Sequence, residues 1–151
     1  AQMGLHNHDQ IVLDAMERTD VSHLADRSVS SLWTGERQRV GLARILAQQT
    51  PVVLLDEPTS ALDIGHQEAV MGLLRLLTEE GVTVLTVLHD LNLAAAHAHR
   101  LVLMAGGKVQ RSGSPSDVLV DDILTDVYRQ RMRVIDHPDR NCPLVLTLDE
   151  E

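Results

Sequence analysis

Aromatic residues are nearly absent from this chain of 151 residues: Trp33 and Tyr128 stand alone, and there is no Phe. Its interior must therefore be aliphatic, built from Leu, Val, Ile, Ala and Met. A single cysteine, Cys142, excludes an internal disulfide and fits a reducing compartment. Basic residues are in the minority, 13 against 22 acidic ones, for a net charge of −9. That balance excludes the basic stripe a nucleic-acid surface needs. No apolar run approaches the ~20 residues required to cross a bilayer; the best, Val82 to Leu88, has only the length of a strand. No charged-then-apolar segment opens the chain, so any link to a membrane is expected to run through a partner protein. The sequence also holds no Gly-x-x-x-x-Gly-Lys-Ser/Thr phosphate loop. Gly106-Gly107-Lys108 does not supply one, because Val102 and Val109 stand where Gly and Ser/Thr are required. The opening at Ala1, in mid-pattern and without an initiator Met, suggests a fragment.

What is present is a strand that ends in acids. Val52-Val53-Leu54-Leu55 is apolar without alternation, the pattern of a strand buried on both faces. Asp56-Glu57-Pro58-Thr59-Ser60-Ala61-Leu62-Asp63 follows at once. A carboxylate at a strand's C-terminal end can hold Mg²⁺ or its water shell, and the next residue can reach a water aligned on a phosphate. The arrangement suits a magnesium-nucleotide site; the plainer alternative is an Asp-Glu turn that stabilises the helix after it.

Around this strand the pattern alternates. A helix capped by Asp9 is expected to run to about Thr19, with a short turn at Ser22 to Asp26 and a polar loop from Ser28 to Thr34. A second helix spans about Gly35 to Gln48, its stripe being Val40, Ala43, Leu46 and Ala47, and Thr50-Pro51 stops it. A third runs from about His66 to Glu80 and ends at Gly81. Val82 to Leu88 is a second strand, Asp90 caps a helix to about Ala98, and Leu101 to Met104 is a third strand. Gly106-Gly107 turns the chain into Lys108 to Arg111. Short helices near Ser116 to Leu119 and Asp122 to Arg129 precede a terminal hairpin. Strand and helix in alternation predict an α/β parallel sheet.

Two further segments complete a constellation. Leu32-Trp33-Thr34-Gly35-Glu36-Arg37-Gln38-Arg39-Val40 lies upstream, and Val87-Leu88-His89-Asp90-Leu91-Asn92-Leu93-Ala94 lies downstream. Read alone, the first is the charged start of an amphipathic helix and His89 a satisfied structural histidine. Together with the Asp56–Asp63 segment they resemble the ATP-hydrolysing subunit of an ABC transporter. The likeness runs from about His23 to Tyr128. Its context is similar to importers of iron-siderophores, haem and vitamin B12, notably Leu62-Asp63-Ile64-Gly65-His66-Gln67 and Gly113-Ser114-Pro115-Ser116-Asp117-Val118-Leu119.

The resemblance implies the C-terminal half of a P-loop NTPase (RecA-like) parallel-sheet core plus the end of the ABC helical subdomain. Residues 1–34 would be the end of that subdomain with its signature loop, 35–130 the half core, and 131–151 the terminal hairpin. It implies ATP and Mg²⁺ as cofactors, with Asp56 on the metal, Glu57 as base and His89 near the γ-phosphate. Trp33, Thr34, Gly35 and Glu36 fall on the signature motif, which reads Leu-Ser-Gly-Gly-Gln/Glu in the family and faces the γ-phosphate of the opposite subunit. Trp33 replaces its hydroxyl and Thr34 its first glycine, so the motif is degenerate. Asp63, otherwise a helix cap, matches the loop that crosses the subunit interface. The implied partners are a second ATPase subunit and membrane permeases, with no direct contact to cargo, at the cytoplasmic face of the membrane. The family's phosphate-loop strand lies between Val82–Leu88 and Leu101–Met104, so a gap in the sheet and aggregation-prone edges are expected.

Two functional expectations follow. The first is a truncated ATPase subunit of an importer for an iron chelate or haem, inactive by itself without a phosphate loop. The second is a non-catalytic remnant that only pairs with a complete subunit or permease. ATPases of DNA repair or translation carry long coiled coils or basic arms, which this acidic sequence does not show. Paired histidines, His6/His8 and His97/His99, lie two apart and face different ways on a helix, so no histidine metal site is expected.

Overall fold

Residues 2–149 are described in a computed structural model, with side chains from His8 onward. His6 therefore lies outside the described side chains. The chain divides into two compact units, Ala1–Val87 and Leu88–Glu151.

The first unit opens with helix α1 (Gln2–Arg18) and short 3-10 turns at Ser22–Leu24 and Val29–Ser31, and continues into α2 (Thr34–Ala47). The first helix starts earlier than its Asp9 cap predicts, and Asp9 is an exposed mid-helix residue. Ala15, Val21, Leu24, Leu32 and Ala43 form a small aliphatic core between α1 and α2, with Met16, Val40, Leu46 and Ala47 against it. The expected α2 stripe is thus the packed one. Strand β1 (Val52–Asp56) follows, then α3 (Ile64–Glu79) and β2 (Thr83–Val87). β1 and β2 pair in parallel, Val52 opposite Thr83 and Asp56 opposite Val87. Val70, Met71, Leu73, Leu74 and Leu77 of α3 are buried. Gly81, at φ +90, lets the chain reverse into β2, a left-handed turn that favours glycine.

One expectation fails here. β1 and β2 are not buried on both faces: Val52, Leu54, Leu85 and Val87 are 51%, 68%, 61% and 50% exposed. Alternation of side chains in a strand sends Val53 inward and these four to the other face. The reason is architectural. A parallel strand reads as a continuous apolar run because elements cover both faces, and here one face is uncovered.

The second unit holds α4 (Leu91–His97), β3 (Leu101–Ala105), β4 (Lys108–Gly113), α5 (Pro115–Val118), α6 (Asp121–Tyr128), β5 (Met132–Asp136) and β6 (Pro143–Thr147). β3 pairs antiparallel with β4, the hairpin that Gly106-Gly107 predicts. Among the described residues the parallel ladder comprises β1 and β2 alone. Gly106 and Gly107, at φ +57 and +71, make the two-residue hairpin loop joining β3 to β4. Ala95, Leu103, Val118, Leu119, Leu124 and Val145 form the core of this unit, and Leu124 is fully buried. Ser114 and Asp117 close a capping box on α5.

One polar clamp fastens the terminal hairpin. Asn92 donates through Nδ2 to the Val145 carbonyl at 3.1 Å and accepts the Val145 N–H through Oδ1 at 2.7 Å. A side-chain carboxamide carries the acceptor and the donor that satisfy both backbone groups of one residue. Asn92→Ala is expected to destabilise this unit by about 1–3 kcal/mol, because a part-buried donor and acceptor are both left open. Hydrogen exchange should show the Val145 amide losing protection; unchanged exchange there would remove the clamp from the account.

Asp63 caps α3. Its Oδ1 accepts the His66 N–H at 2.9 Å, and the His66 Nδ1 lies 2.8 Å from the same carboxylate. These contacts, the backbone one foremost, hold the Asp63 pKa below the ordinary carboxylate value. A depressed pKa gives stability that is complete above the unfolded pKa and fades as pH falls through the folded one. Asp63→Asn keeps a cap but cannot titrate. Its melting temperature should fall less steeply than the parent's below about pH 4, and parallel acid limbs would contradict the cap's share.

Candidate functional site

The start of α2 and the end of β1 meet at one residue. Glu57 follows the strand and has a φ of +48. Among the described residues three other non-glycine residues have positive φ: Asp20, Gln49 and Arg129. Each of those closes a helix, where a left-handed residue is commonplace. Glu57 closes a strand, and a glutamate there is an uncommon occupant of that region. Hydrogen bonds from three sides hold its backbone. Its N–H donates to the Val87 carbonyl at 3.1 Å. Its own carbonyl accepts from Gln38 Nε2 at 3.1 Å, from Ser60 Oγ at 3.1 Å and from the Ser60 N–H at 3.3 Å. Strain of this kind persists only where its surroundings over-determine it, and it concentrates at functional sites.

Asp56 is exposed at the last position of β1, opposite Val87, and Glu57 beside it is half-buried. Among the described residues no three His, Cys, Asp or Glu side chains converge into a closed metal cage. A single strand-end carboxylate suits a Mg²⁺ ion that keeps most of its waters and is shared with phosphate oxygens. The donor set fits that mode of binding and not an all-protein one.

At the start of α2, Trp33 takes the capping position with an extended backbone and no side-chain cap bond. Only the return half of a capping box exists: Glu36 Oε2 accepts the Trp33 N–H at 3.1 Å. Glu36 is buried, with the Arg27 guanidinium 4.0 Å from its other oxygen. The indole ring of Trp33 folds over Gly35 and fills the space where a Cβ would stand. Arg39 lies with its guanidinium carbon 5.9 Å from the ring centroid, within cation–π range. Arg39 is itself buried, and its Nε and Nη1 have no hydrogen-bond partner. Thr34 is exposed and enters the helix as its first residue, so the strained glycine-like backbone is not adopted there.

The predicted residues thus fall into groups. Asp56 and Glu57 are adjacent and tied through Gln38 to the helix that begins with Trp33, Thr34, Gly35 and Glu36. Asp63 stands at the head of α3. His89 is exposed in the second unit, two positions after Val87 in the chain. Gln38 and Ser60, which fasten Glu57, were not singled out by sequence reasoning. Their only signal is that both lie inside the two motifs that were.

Comparison with known proteins accords with this geometry. A family model described as ABC transporter matches residues 3–60. The hemin import ATP-binding protein HmuV of Rhodococcus jostii (strain RHA1) is 52% identical over 135 residues, covering 89% of this chain and 46% of that protein. The ferric enterobactin transport ATP-binding protein FepC of Escherichia coli (strain K12) is 42% identical over 141 residues, covering 93% and 52%. Among solved structures, a chain of a metal-chelate type ABC transporter in an inward-facing conformation superposes with a TM-score of 0.80 at 29% identity, covering 93% of this chain and 57% of that one. The chain spans about half the length of the curated relatives it matches. In sequence and in α/β fold, the chain is similar to ABC transporter ATP-binding proteins.

Proposed function

We propose that this chain carries one half of the ATP-hydrolysing site of an importer for haem or an iron-siderophore. The observation that bears most weight is Glu57: a glutamate held in a strained backbone at a strand end, next to an exposed aspartate. The haem and enterobactin relatives support the cargo class through their names. Under this reading 1–34 is the end of a helical subdomain, 35–130 half of the ATPase core, and 131–151 a terminal hairpin. A second ATPase subunit and permeases are its partners, at the cytoplasmic face of a membrane, and the chain itself contacts no cargo. No helix among the described residues is long and apolar enough to cross a membrane.

Bound Mg-ATP supplies the phosphoryl group and a cation that neutralises its charge. Asp56 would hold the cation's water shell. Glu57 orients a water and accepts its proton. By the family resemblance His89 would lie near the γ-phosphate, and Asp63, which caps α3, would serve the facing subunit. The amides at the start of α2 present a positive helix end to an anion. Trp33 works against that last role, because its ring covers Gly35 and brings no hydroxyl.

That covering ring favours the second reading, a non-catalytic remnant that pairs with a complete subunit or permease. The two readings separate in two experiments. Phosphate loops supply most of the groups that grip the β- and γ-phosphates, so these 151 residues by themselves should bind Mg-ATP too weakly to measure. Saturable micromolar binding in titration calorimetry would overturn that.

The second experiment joins the chain to the phosphate-loop half of a close relative. Slow ATP turnover is expected, rising when Trp33→Ser and Thr34→Gly are combined. A charge-assisted hydrogen bond of ~2 kcal/mol acting only in the transition state corresponds to roughly thirtyfold in rate. Glu57→Gln should then abolish turnover and leave nucleotide binding intact. A fusion that binds ATP but never turns it over, even with both reversions, establishes the remnant.

A further inference from the structure

Gln38 has no role in the mechanism above, yet its side chain reaches from α2 to the Glu57 backbone. We propose that Gln38 is a positioning residue, whose amide holds Glu57 in its left-handed conformation and thereby sets the direction of the Glu57 carboxylate. The inference rests on the reading of Glu57 as the base.

Three observations carry it. The first is identity of atoms. The Glu57 carbonyl can only accept, so the Gln38 atom 3.1 Å away is the amide nitrogen. The second is the consequence of that orientation. Gln38 Oε1 is turned away, buried and without a partner. A residue kept only for packing would not retain an orphaned acceptor, since an apolar side chain of the same shape avoids its desolvation. The third is where the bond lands. It reaches the only strand-end residue among the described ones whose non-glycine backbone is left-handed. A backbone strained at that point relaxes if its restraints are released. The other carbonyl donors come from Ser60, three residues on in the same turn, and move with it. Gln38 reaches the Glu57 carbonyl itself from a separate packed helix, while Gln67 of α3 ties the turn two residues on, at the Thr59 carbonyl.

The test begins with the 151-residue chain itself. Gln38→Met keeps length, flexibility and helix propensity, and removes the donor together with the orphaned acceptor. A packing role predicts that this variant is neutral or more stable, whatever stands at 57. The positioning role predicts a lower urea midpoint with Glu57 and a shift of about half or less with Glu57→Gly, which adopts positive φ without strain. Equal shifts in both backgrounds overturn the proposal. NMR couplings and Cα shifts of residue 57 should move away from left-handed values in Gln38→Met and return in Gln38→Lys, which restores a donor. Unchanged values would also overturn it. Should Gln38→Met not fold, Gln38→Glu against Gln38→Lys gives the same contrast, an acceptor and a donor in one place. In the fusion with a phosphate-loop half, Gln38→Met should lower kcat roughly ten- to a hundredfold and leave KM for ATP within about twofold. Loss through KM alone, or no loss, counts against positioning. A parent fusion without ATPase activity sinks the functional reading, while the midpoints and couplings still decide whether Gln38 sets Glu57.

Discussion

Everything proposed for this chain depends on one peptide carbonyl, that of Glu57. It accepts from Gln38 and from both donors of Ser60, while the Glu57 N–H is bound to the last residue of β2. Helix, strand and turn are thereby referred to a single point. The cost is a glutamate at positive φ, of order 1–3 kcal/mol for a sparsely populated backbone region. Net hydrogen bonds of about 1 kcal/mol each are of the right size to offset it. The constraint makes physical sense only if the direction of the Glu57 side chain matters, because a glycine in the turn would carry no such strain.

The same reasoning separates what the chain supplies from what it leaves open. α1 and α2 bury an aliphatic core, and the second unit closes around Leu124. Neither needs an aromatic. The strands of the first unit differ. Val52, Leu54, Leu85 and Val87 form an apolar surface on one face of the β1–β2 pair. Covering the exposed half or more of each would gain roughly 1–2 kcal/mol of transfer energy. A two-stranded parallel sheet with one open face is an unusual solution, since parallel sheets are normally covered on both sides. The sequence of β1 is written for a covered strand, and its structure shows an uncovered one.

That mismatch explains most of what could and could not be read in advance. Helices α2 and α3 were legible because their stripes recur at helical spacing and Gly81 ends the latter. The acidic strand end, Asp56 and Glu57, was legible because two acids after an apolar run are chemically conspicuous. Strand exposure was not legible: β1 reads the same whether or not a neighbour covers it. The pairing of β3 with β4 was legible, because Gly106-Gly107 marks a two-residue hairpin loop after its apolar run. Asp9 was misplaced as a cap because an aspartate can sit mid-helix when it faces solvent. The backbone strain at Glu57 has no sequence signature, since left-handed residues announce themselves only when they are Gly, Asn or Asp.

Trp33 shows how far a motif can be trusted when one position departs from it. From sequence, its fault is the missing hydroxyl. In three dimensions a second fault appears, because the ring lies over Gly35, the glycine that does survive. The two faults are not independent. A serine at position 33 would supply a cap and leave Gly35 open; an indole supplies no cap and covers it. Arg39 joins the arrangement by lying near the ring with two unsatisfied nitrogens, an expensive state for a buried cation. Removing the ring would therefore expose the helix end and release a guanidinium at once. The degenerate start of α2 is then a coupled set of three side chains, Trp33, Gly35 and Arg39, and changes among them should not add.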